Sequence, residues 1–257
     1  NATSKEYNLL EDDYNSSFSF REKENNRSLR FMEMIEDYDK VSFDDFKVIK
    51  YDQKYPDSIA FIGNISEIFS LSFENEDIVD IHNLITKWDR RGNYDNLGAA
   101  QWSLFYDYIL RILDKNDIEV TDTIPEKYFI EGLRETKKYL IKNFGRVDIL
   151  LGDLQKHVRG DIELPVSGLI DMIAPTYVVS YKDGTYRSVS GESYIMLVKY
   201  SKSDVEIETV LPYGNSNDSS SPHYTDQMSL YVDKKTKSMT LDKDKIYRDA
   251  LRIYNPN

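Results

Sequence analysis

Hydrophobic spacing changes once along this chain, after Gly145, and this change limits the folds open to it. Before it, apolar residues recur at intervals of three and four, as Ile78, Ile81 and Ile85 do, which predicts amphipathic helices. After it, Gly and Pro separate short β-branched and aromatic runs, which are typical of strands. The sequence therefore predicts an α+β protein. Its predicted parts are an irregular surface segment at 1–26, a mainly helical module at 27–145, and a β-rich part with a closing helix at 146–257.

The β-rich part contains several runs that predict individual elements. Asp183-Gly184 lies between two of them, and Asp-Gly between strand-like runs predicts a hairpin. The run at 194–200 is apolar enough to predict a strand that is buried on both faces. The hairpin strands are predicted at 177–181 and 185–189. Two further strands are predicted at 205–210 and 228–232, and the closing helix at 242–253.

Composition excludes several classes of function. The net charge of −12 argues against nucleic acid and against an anionic membrane surface, because both need a basic face. No apolar run approaches the roughly 20 residues that span a membrane. The chain has no cysteine, which excludes disulfides and a cysteine nucleophile within it. Its three histidines lack the His-Glu-x-x-His spacing of zinc sites, and we predict no metal site in the chain.

The most unusual stretch is the polar segment at 211–228. It combines His223, Tyr224, Asp226 and Gln227 immediately before an apolar run. Because buried polar groups need partners, we expect these side chains to hydrogen-bond to one another and to the backbone of a long turn. The alternative is a direct catalytic role for His223.

A second polar stretch lies at 152–168 and is expected to be a turn. His157, Arg159 and Asp161 are close enough in sequence to form a charge-assisted network there. The simpler alternative is that Arg159 and Asp161 only fix a loop between two glycines.

These stretches resemble the C-terminal part of the β-subunit of penicillin-acylase-type N-terminal nucleophile hydrolases. The branch that contains acyl-homoserine-lactone acylases is the most similar. The resemblance runs in matching order over nearly the whole chain and implies part of an αββα sandwich. The segments that resemble the family are Trp88-Asp, Leu97-Gly-Ala-Ala-Gln-Trp-Ser-Leu-Phe, the stretch at 152–168, Gly191-Glu-Ser-Tyr, and Tyr213-Gly with Ser221-Pro-His-Tyr-Thr-Asp-Gln.

The resemblance implies hydrolysis of an acyl amide and assigns two catalytic residues. Asn1-Ala-Thr matches the start of the family's Asn-x-Ser/Thr-Pro motif, so Asn1 is expected to donate to the oxyanion, although Ser4 replaces the proline. One such amide donor is worth about 3 kcal/mol in related chemistry. Arg27 falls where the family has an arginine that orients the asparagine or the substrate, with Arg30 as the second choice.

The resemblance also implies that parts of the enzyme are missing from this chain. It contains no N-terminal Ser, Cys or Thr, so no nucleophile is assigned and the isolated chain is predicted to be inactive. The implied partners are the N-terminal half of the β-subunit, the α-subunit and a small acyl amide substrate. We expect no cofactor here. The resemblance implies that a structural calcium of the parent enzyme takes its ligands mainly from regions outside this chain, and a ligand from Asp12 or Asp13 is the weaker alternative. The implied location is periplasmic or secreted.

Two other functions stay open at this point. The chain can be a non-catalytic binding or scaffold domain that retains an acylase-like fold. A glycan-binding β-domain is a weaker alternative, suggested by the 20 tyrosines, and it requires an exposed row of aromatic side chains.

Overall fold

The computed structural model describes residues 25–253, except 37, 61, 75, 121 and 251. The chain divides into two compact units, Asn1–Gly191 and Glu192–Asn257. Helices come first and mainly antiparallel strands follow, so the predicted α+β class is confirmed. The first unit contains both helices and the first four strands, and it ends at Gly191. The predicted boundary between the helical and the β-rich parts lies earlier, near residue 145.

The helices of the first unit bury one continuous apolar core. The apolar face predicted around Ile81 and Ile85 is confirmed, because both side chains are fully buried in one helix. The largest buried side chains include Trp102, Phe105 and Phe129, which pack together on the two longest helices. The helices are α1 (Asn26–Ile35), α2 (Phe43–Lys50), α3 (Val79–Thr86), α4 (Ala99–Lys115), α5 (Glu126–Phe144) and α6 (Leu151–Leu154).

Four strands complete the first unit: β1 (Gln155–Arg159), β2 (Ile162–Pro165), β3 (Thr176–Ser180) and β4 (Tyr186–Gly191). Their order in the sheet is β2-β1-β4-β3, and only the β1–β4 pair is parallel. The hairpin predicted at Asp183-Gly184 is confirmed between β3 and β4. The stretch at 152–168 is not the turn that was expected. It contains part of α6 and the β1–β2 hairpin, because its alternating side chains also suit a strand.

The second unit contains a three-stranded sheet in the order β5-β6-β7 and two short helices. Its elements are β5 (Ile195–Tyr200), β6 (Val205–Val210), α7 (Met228–Val232), β7 (Lys237–Met239) and α8 (Lys243–Asp249). The closing helix is therefore shorter than the predicted 242–253.

Two predictions for the second unit are wrong. The segment at 228–232 is a helix, because the N–H of Tyr231 bonds to the Gln227 carbonyl at 2.9 Å, and a short apolar run does not distinguish helix from strand. Strand β5 buries one face only. Ile195 and Leu197 are buried, whereas Met196 is 49% exposed. Within the described ranges, no helix combines the length and the apolar character needed to cross a membrane.

Candidate functional site

Helix α1 carries the candidate arginines, and its first turn is fixed by local capping. Asn25 and Ser28 form a reciprocal capping box, in which each side chain accepts the other residue's backbone N–H at 2.9–3.0 Å. Asn26 is almost fully buried, and its side-chain oxygen accepts the N–H of Ala60 at 2.9 Å. The first turn of α1 is therefore held both by its own capping bonds and by a hydrogen bond to the loop that contains Ala60.

Asp171 contacts α1 at the position predicted to be catalytic. One of its carboxylate oxygens accepts the backbone N–H of Asn26 at 3.0 Å. The other lies 3.4 Å from Nε of Arg27. The Arg27 side chain remains 42% exposed and makes no further charged contact within the described residues. An arginine has five N–H donors, and the contact with Asp171 engages only part of them within the described residues.

Asp171 is an unusual residue in both environment and backbone. Its side chain is 10% exposed, and its φ of +55° lies in the left-handed region. Burial raises the pKa of Asp171 above its usual range, and this outweighs the lowering by the Asn26 N–H and by Arg27. The fold therefore keeps a carboxylate where its charge is costly, which is more common at functional sites than elsewhere.

Arg30, the second choice from the sequence, is engaged very differently. Its Nε and one terminal nitrogen bind the two oxygens of Asp52 at 2.9 and 3.2 Å, and its other terminal nitrogen binds Glu33 at 3.1 Å. Its side chain is only 15% exposed. Burial disfavours the charged form of Arg30, but the hydrogen bonds to Asp52 and Glu33 prevail and its pKa is raised. These contacts give Arg30 a structural role, whereas Arg27 is more exposed and makes fewer contacts within the described residues.

The two carboxylates that hold α1 belong to segments that are bonded to each other. The carbonyl of Asp52 accepts the N–H of Ala174 at 3.2 Å. The hydroxyl of Tyr55 donates to the carbonyl of Ile170 at 2.7 Å. Asp52 and Asp171 are therefore set by one connected framework. We refer to Asn26, Arg27, Arg30, Asp52 and Asp171 together as the α1 anchor.

A cavity of about 180 Å³ lies next to the α1 anchor. Ile170, the residue before Asp171, is part of its wall, as are Tyr55, Trp102, Tyr106 and Asp107. Burial raises the pKa of both Tyr55 and Tyr106, and the negative charge of Asp171 adds to each shift. The hydroxyls of Tyr55 and Tyr106 are therefore neutral at physiological pH, and that of Tyr55 donates to the Ile170 carbonyl.

The polar stretch at 211–228, which we call the polar loop, is held by specific hydrogen bonds. Nδ1 of His223 lies 2.8 Å from a carboxylate oxygen of Asp226, and both side chains are partly exposed. Gln227 is buried, its side-chain oxygen accepts the Leu211 N–H at 3.0 Å, and its own N–H donates to Tyr213 at 2.8 Å. The N–H of Tyr224 donates to the Ser221 carbonyl at 3.1 Å. These bonds close the loop on itself.

The three charged residues predicted to form a network at 152–168 lie along the β1–β2 hairpin. His157 is buried in β1 opposite Leu164 of β2. Arg159 lies two residues further along β1 and is partly exposed, so it shares the face of His157. Asp161 is exposed in the turn between the strands. A network that joins all three stays a prediction.

Several other predicted site residues lie outside the described residues. Asn1 is one of them, and so are Asp12 and Asp13, one of which was considered as an additional ligand for a calcium ion of the parent enzyme. In the part of the chain that the structure describes, no group of three His, Cys, Asp or Glu side chains is placed to hold a metal ion.

Sequence reasoning missed Asp171 and Asp52. Asp171 is 145 residues from its partner Asn26, and one sequence contains no direct sign of such a pairing. The available signal is an acidic residue in the otherwise apolar run Leu169-Ile-Asp-Met-Ile. A charged residue is rarely buried in such a run unless it has a partner.

The chain matches the family model described as penicillin amidase over residues 1–248. Comparison with curated protein sequences gives no significant match. Among solved structures, a thermostable penicillin G acylase from Alcaligenes faecalis is similar to this chain, with 11% identity and a TM-score of 0.46. That match covers 93% of this chain and 54% of the other, so this chain spans about half the length of that enzyme.

Proposed function

The chain belongs to the penicillin amidase family, and on that premise we propose that it is the C-terminal portion of an amidohydrolase that cleaves an acyl group from an amide. The family match over residues 1–248 is the observation that carries this proposal. The substrate class we propose is a small acyl amide, such as an acyl-homoserine lactone or an acylated β-lactam. The nucleophile and most of the acyl pocket belong to the remainder of the protein, in the N-terminal half of the β-subunit and the α-subunit.

The proposed role of this chain is to stabilise the charge that develops during acyl transfer. When a nucleophile attacks the amide carbon, the carbonyl oxygen becomes negative, and a fixed amide N–H lowers the energy of that state. Asn1 supplies that donor in the proposal. Arg27 orients Asn1 or the substrate, which is supported by its partly exposed side chain and by its contact with Asp171 through Nε within the described residues.

Assays of the complete protein that contains this chain test the proposal. We expect the complete protein to hydrolyse an N-acyl-homoserine lactone or an N-acylated β-lactam, and Asn1→Ala to lower kcat at least about 100-fold. The isolated chain is expected to have no activity. If the complete protein hydrolyses neither substrate class, or if Asn1→Ala retains full activity, the proposed function is wrong and a scaffold role takes its place.

The same family membership supports a location for the complete protein. We propose that it is periplasmic or secreted. Cell fractionation with an antibody to this chain tests this, and recovery only with cytoplasmic markers would contradict it.

A further inference from the structure

We propose that Asp171 is the residue that positions Arg27 for the reaction. The inference rests on the proposed function, because it assumes that Arg27 acts at the site. Asp171 does not itself touch substrate in this account. It acts through Arg27, by holding one side of the guanidinium group and the first turn of the helix that carries it.

The geometry supports this role because a single carboxylate holds two parts of the same turn. One oxygen accepts the Asn26 N–H at 3.0 Å and so fixes the backbone immediately before Arg27. The other oxygen lies 3.4 Å from Nε, which is the guanidinium nitrogen closest to the backbone. An arginine held at Nε loses rotational freedom while both of its terminal nitrogens stay available. Such an arginine is oriented before a ligand arrives.

The surroundings of Asp171 show that this placement is imposed by the fold. Its φ of +55° is in a region that side chains other than Gly, Asn and Asp rarely adopt. Its neighbours are fixed on both sides, because Ile170 accepts the Tyr55 hydroxyl and the Ala174 N–H donates to Asp52. The segment around Asp171 therefore fixes the position of the carboxylate, and this position does not depend on where the Arg27 side chain lies.

The comparison with Arg30 separates positioning from simple anchoring. Asp52 binds Arg30 through two hydrogen bonds, and with Glu33 it engages three of its nitrogens, which leaves Arg30 little capacity for a ligand. Asp171 makes one longer contact with Arg27, whose side chain is 42% exposed. The Arg30–Asp52 pair therefore anchors helix α1, whereas the contact with Asp171 orients the Arg27 side chain.

Asp171→Asn is the selective variant for a test. Asparagine has the same shape, tolerates the left-handed backbone, and keeps an oxygen that can accept the Asn26 N–H. It lacks the charge that attracts Arg27. The matched control is Asp117→Asn, because Asp117 has a similar φ of +53° but is exposed and forms no ion pair within the described residues.

The experiment is a double-substitution cycle in the complete protein, measured as kcat and KM for amide hydrolysis. We expect Arg27→Ala to lower kcat/KM about 100-fold, the loss of one charge-assisted interaction of the stronger kind. Asp171→Asn should lower it about tenfold in the normal background and less than twofold in the Arg27→Ala background. Asp117→Asn should leave kcat/KM unchanged in both backgrounds. A residue with a merely structural role would cause the same loss in both backgrounds.

The outcomes separate the inference from the function on which it rests. If Arg27→Ala leaves hydrolysis unchanged, the proposed role of Arg27 fails, and the positioning role of Asp171 fails with it. If Arg27→Ala lowers hydrolysis but Asp171→Asn does not, only the positioning role is wrong. An equal loss from Asp171→Asn in both backgrounds also overturns it. Unfolding of each variant in urea identifies any loss of activity that comes from a loss of stability.

Discussion

The Asp52–Arg30 ion pair of the α1 anchor and the His223–Asp226 contact of the polar loop differ in burial. In the anchor, the Asp52 side chain is 7% exposed and that of its partner Arg30 is 15% exposed. In the polar loop, the His223 side chain is 60% exposed and that of Asp226 is 36% exposed. Water screens the second pair and has little access to the first. A stretch dense in polar residues therefore does not by itself indicate where buried charges stabilise the fold.

The two regions are also stabilised in different ways. The anchor depends on carboxylates that meet arginines from distant parts of the chain. The polar loop depends on its backbone, because the carbonyl oxygen of His223 lies 2.2 Å from where a Cβ would be at Gly214, and because buried Gln227 bonds to two backbone groups. Charge changes should therefore affect the anchor, and volume changes should affect the loop.

Removal of the buried carboxylate at Asp52 is expected to have the largest effect on stability. Among the described residues, Asp52→Ala leaves the charge of Arg30 with Glu33 as its one acidic partner, and we expect a loss of about 3 kcal/mol in the free energy of unfolding. Urea denaturation of the complete protein measures this. The control is Asp57→Ala, because Asp57 pairs with Lys54 but its side chain is 86% exposed, and the loss there should be below about 1 kcal/mol. Equal losses would show that burial does not distinguish the pairs.

Filling the close contact in the polar loop should have the next largest effect. Gly214→Ala places a methyl group against the His223 carbonyl and 2.7 Å from an oxygen of Asp226, so the loop must shift. Overpacking of this kind costs about 2 kcal/mol. The variant should unfold at lower urea concentration and be cut faster by protease within 211–228. Ser220→Ala, in an exposed part of the same loop, is the control. A Gly214→Ala protein as stable and protease-resistant as the control would show that the loop is not tightly closed.

The third prediction concerns pH and the anchor. Because burial raises the pKa of Asp171 in the folded state, the folded protein binds this proton more tightly than the unfolded chain does. Stability from this group is therefore greatest at low pH and falls as pH rises from about 4, the usual Asp pKa, through the raised value. Asp171→Asn should remove that fall and be at least as stable as the unmodified protein at pH 7. Urea unfolding at a series of pH values measures the difference, and parallel curves for the two proteins would contradict the prediction.

The smallest effect is expected at the exposed pair of the polar loop. His223→Ala removes the 2.8 Å contact with Asp226, and exposed pairs of this kind contribute at most about 1 kcal/mol. We expect a change near 0.5 kcal/mol or less in urea denaturation. A loss as large as that of Gly214→Ala would mean that the pair holds the loop together.

Local patterns allowed most of the fold to be predicted. The spacing of Ile78, Ile81 and Ile85 predicts the buried face of α3 and of the residue that precedes it, and Asp183-Gly184 predicts the β3–β4 hairpin, because each signal depends only on neighbours in sequence. The run at 228–232 is too short for periodicity to separate helix from strand. The burial of β5 depends on what covers its faces, and the sequence of one strand does not contain that information.

The candidate site was predictable only in part. Arg27 was named from its place in a family pattern, but its contact with Asp171 crosses 144 residues and depends on the tertiary fold. The family pattern already ranked Arg27 above Arg30, but the difference between their contacts needed the structure, since the two residues lie one turn apart on the same helix. The polar loop was recognised from its composition, whereas the decisive close approach at Gly214 involves a backbone carbonyl.

The most direct test of this account compares kcat/KM for acyl amide hydrolysis between Arg27→Ala and His223→Ala in the complete protein. The account predicts about a 100-fold loss for Arg27→Ala and less than a twofold change for His223→Ala. The reverse result, with Arg27→Ala near normal and His223→Ala strongly impaired, would contradict it and place the chemistry at the polar loop.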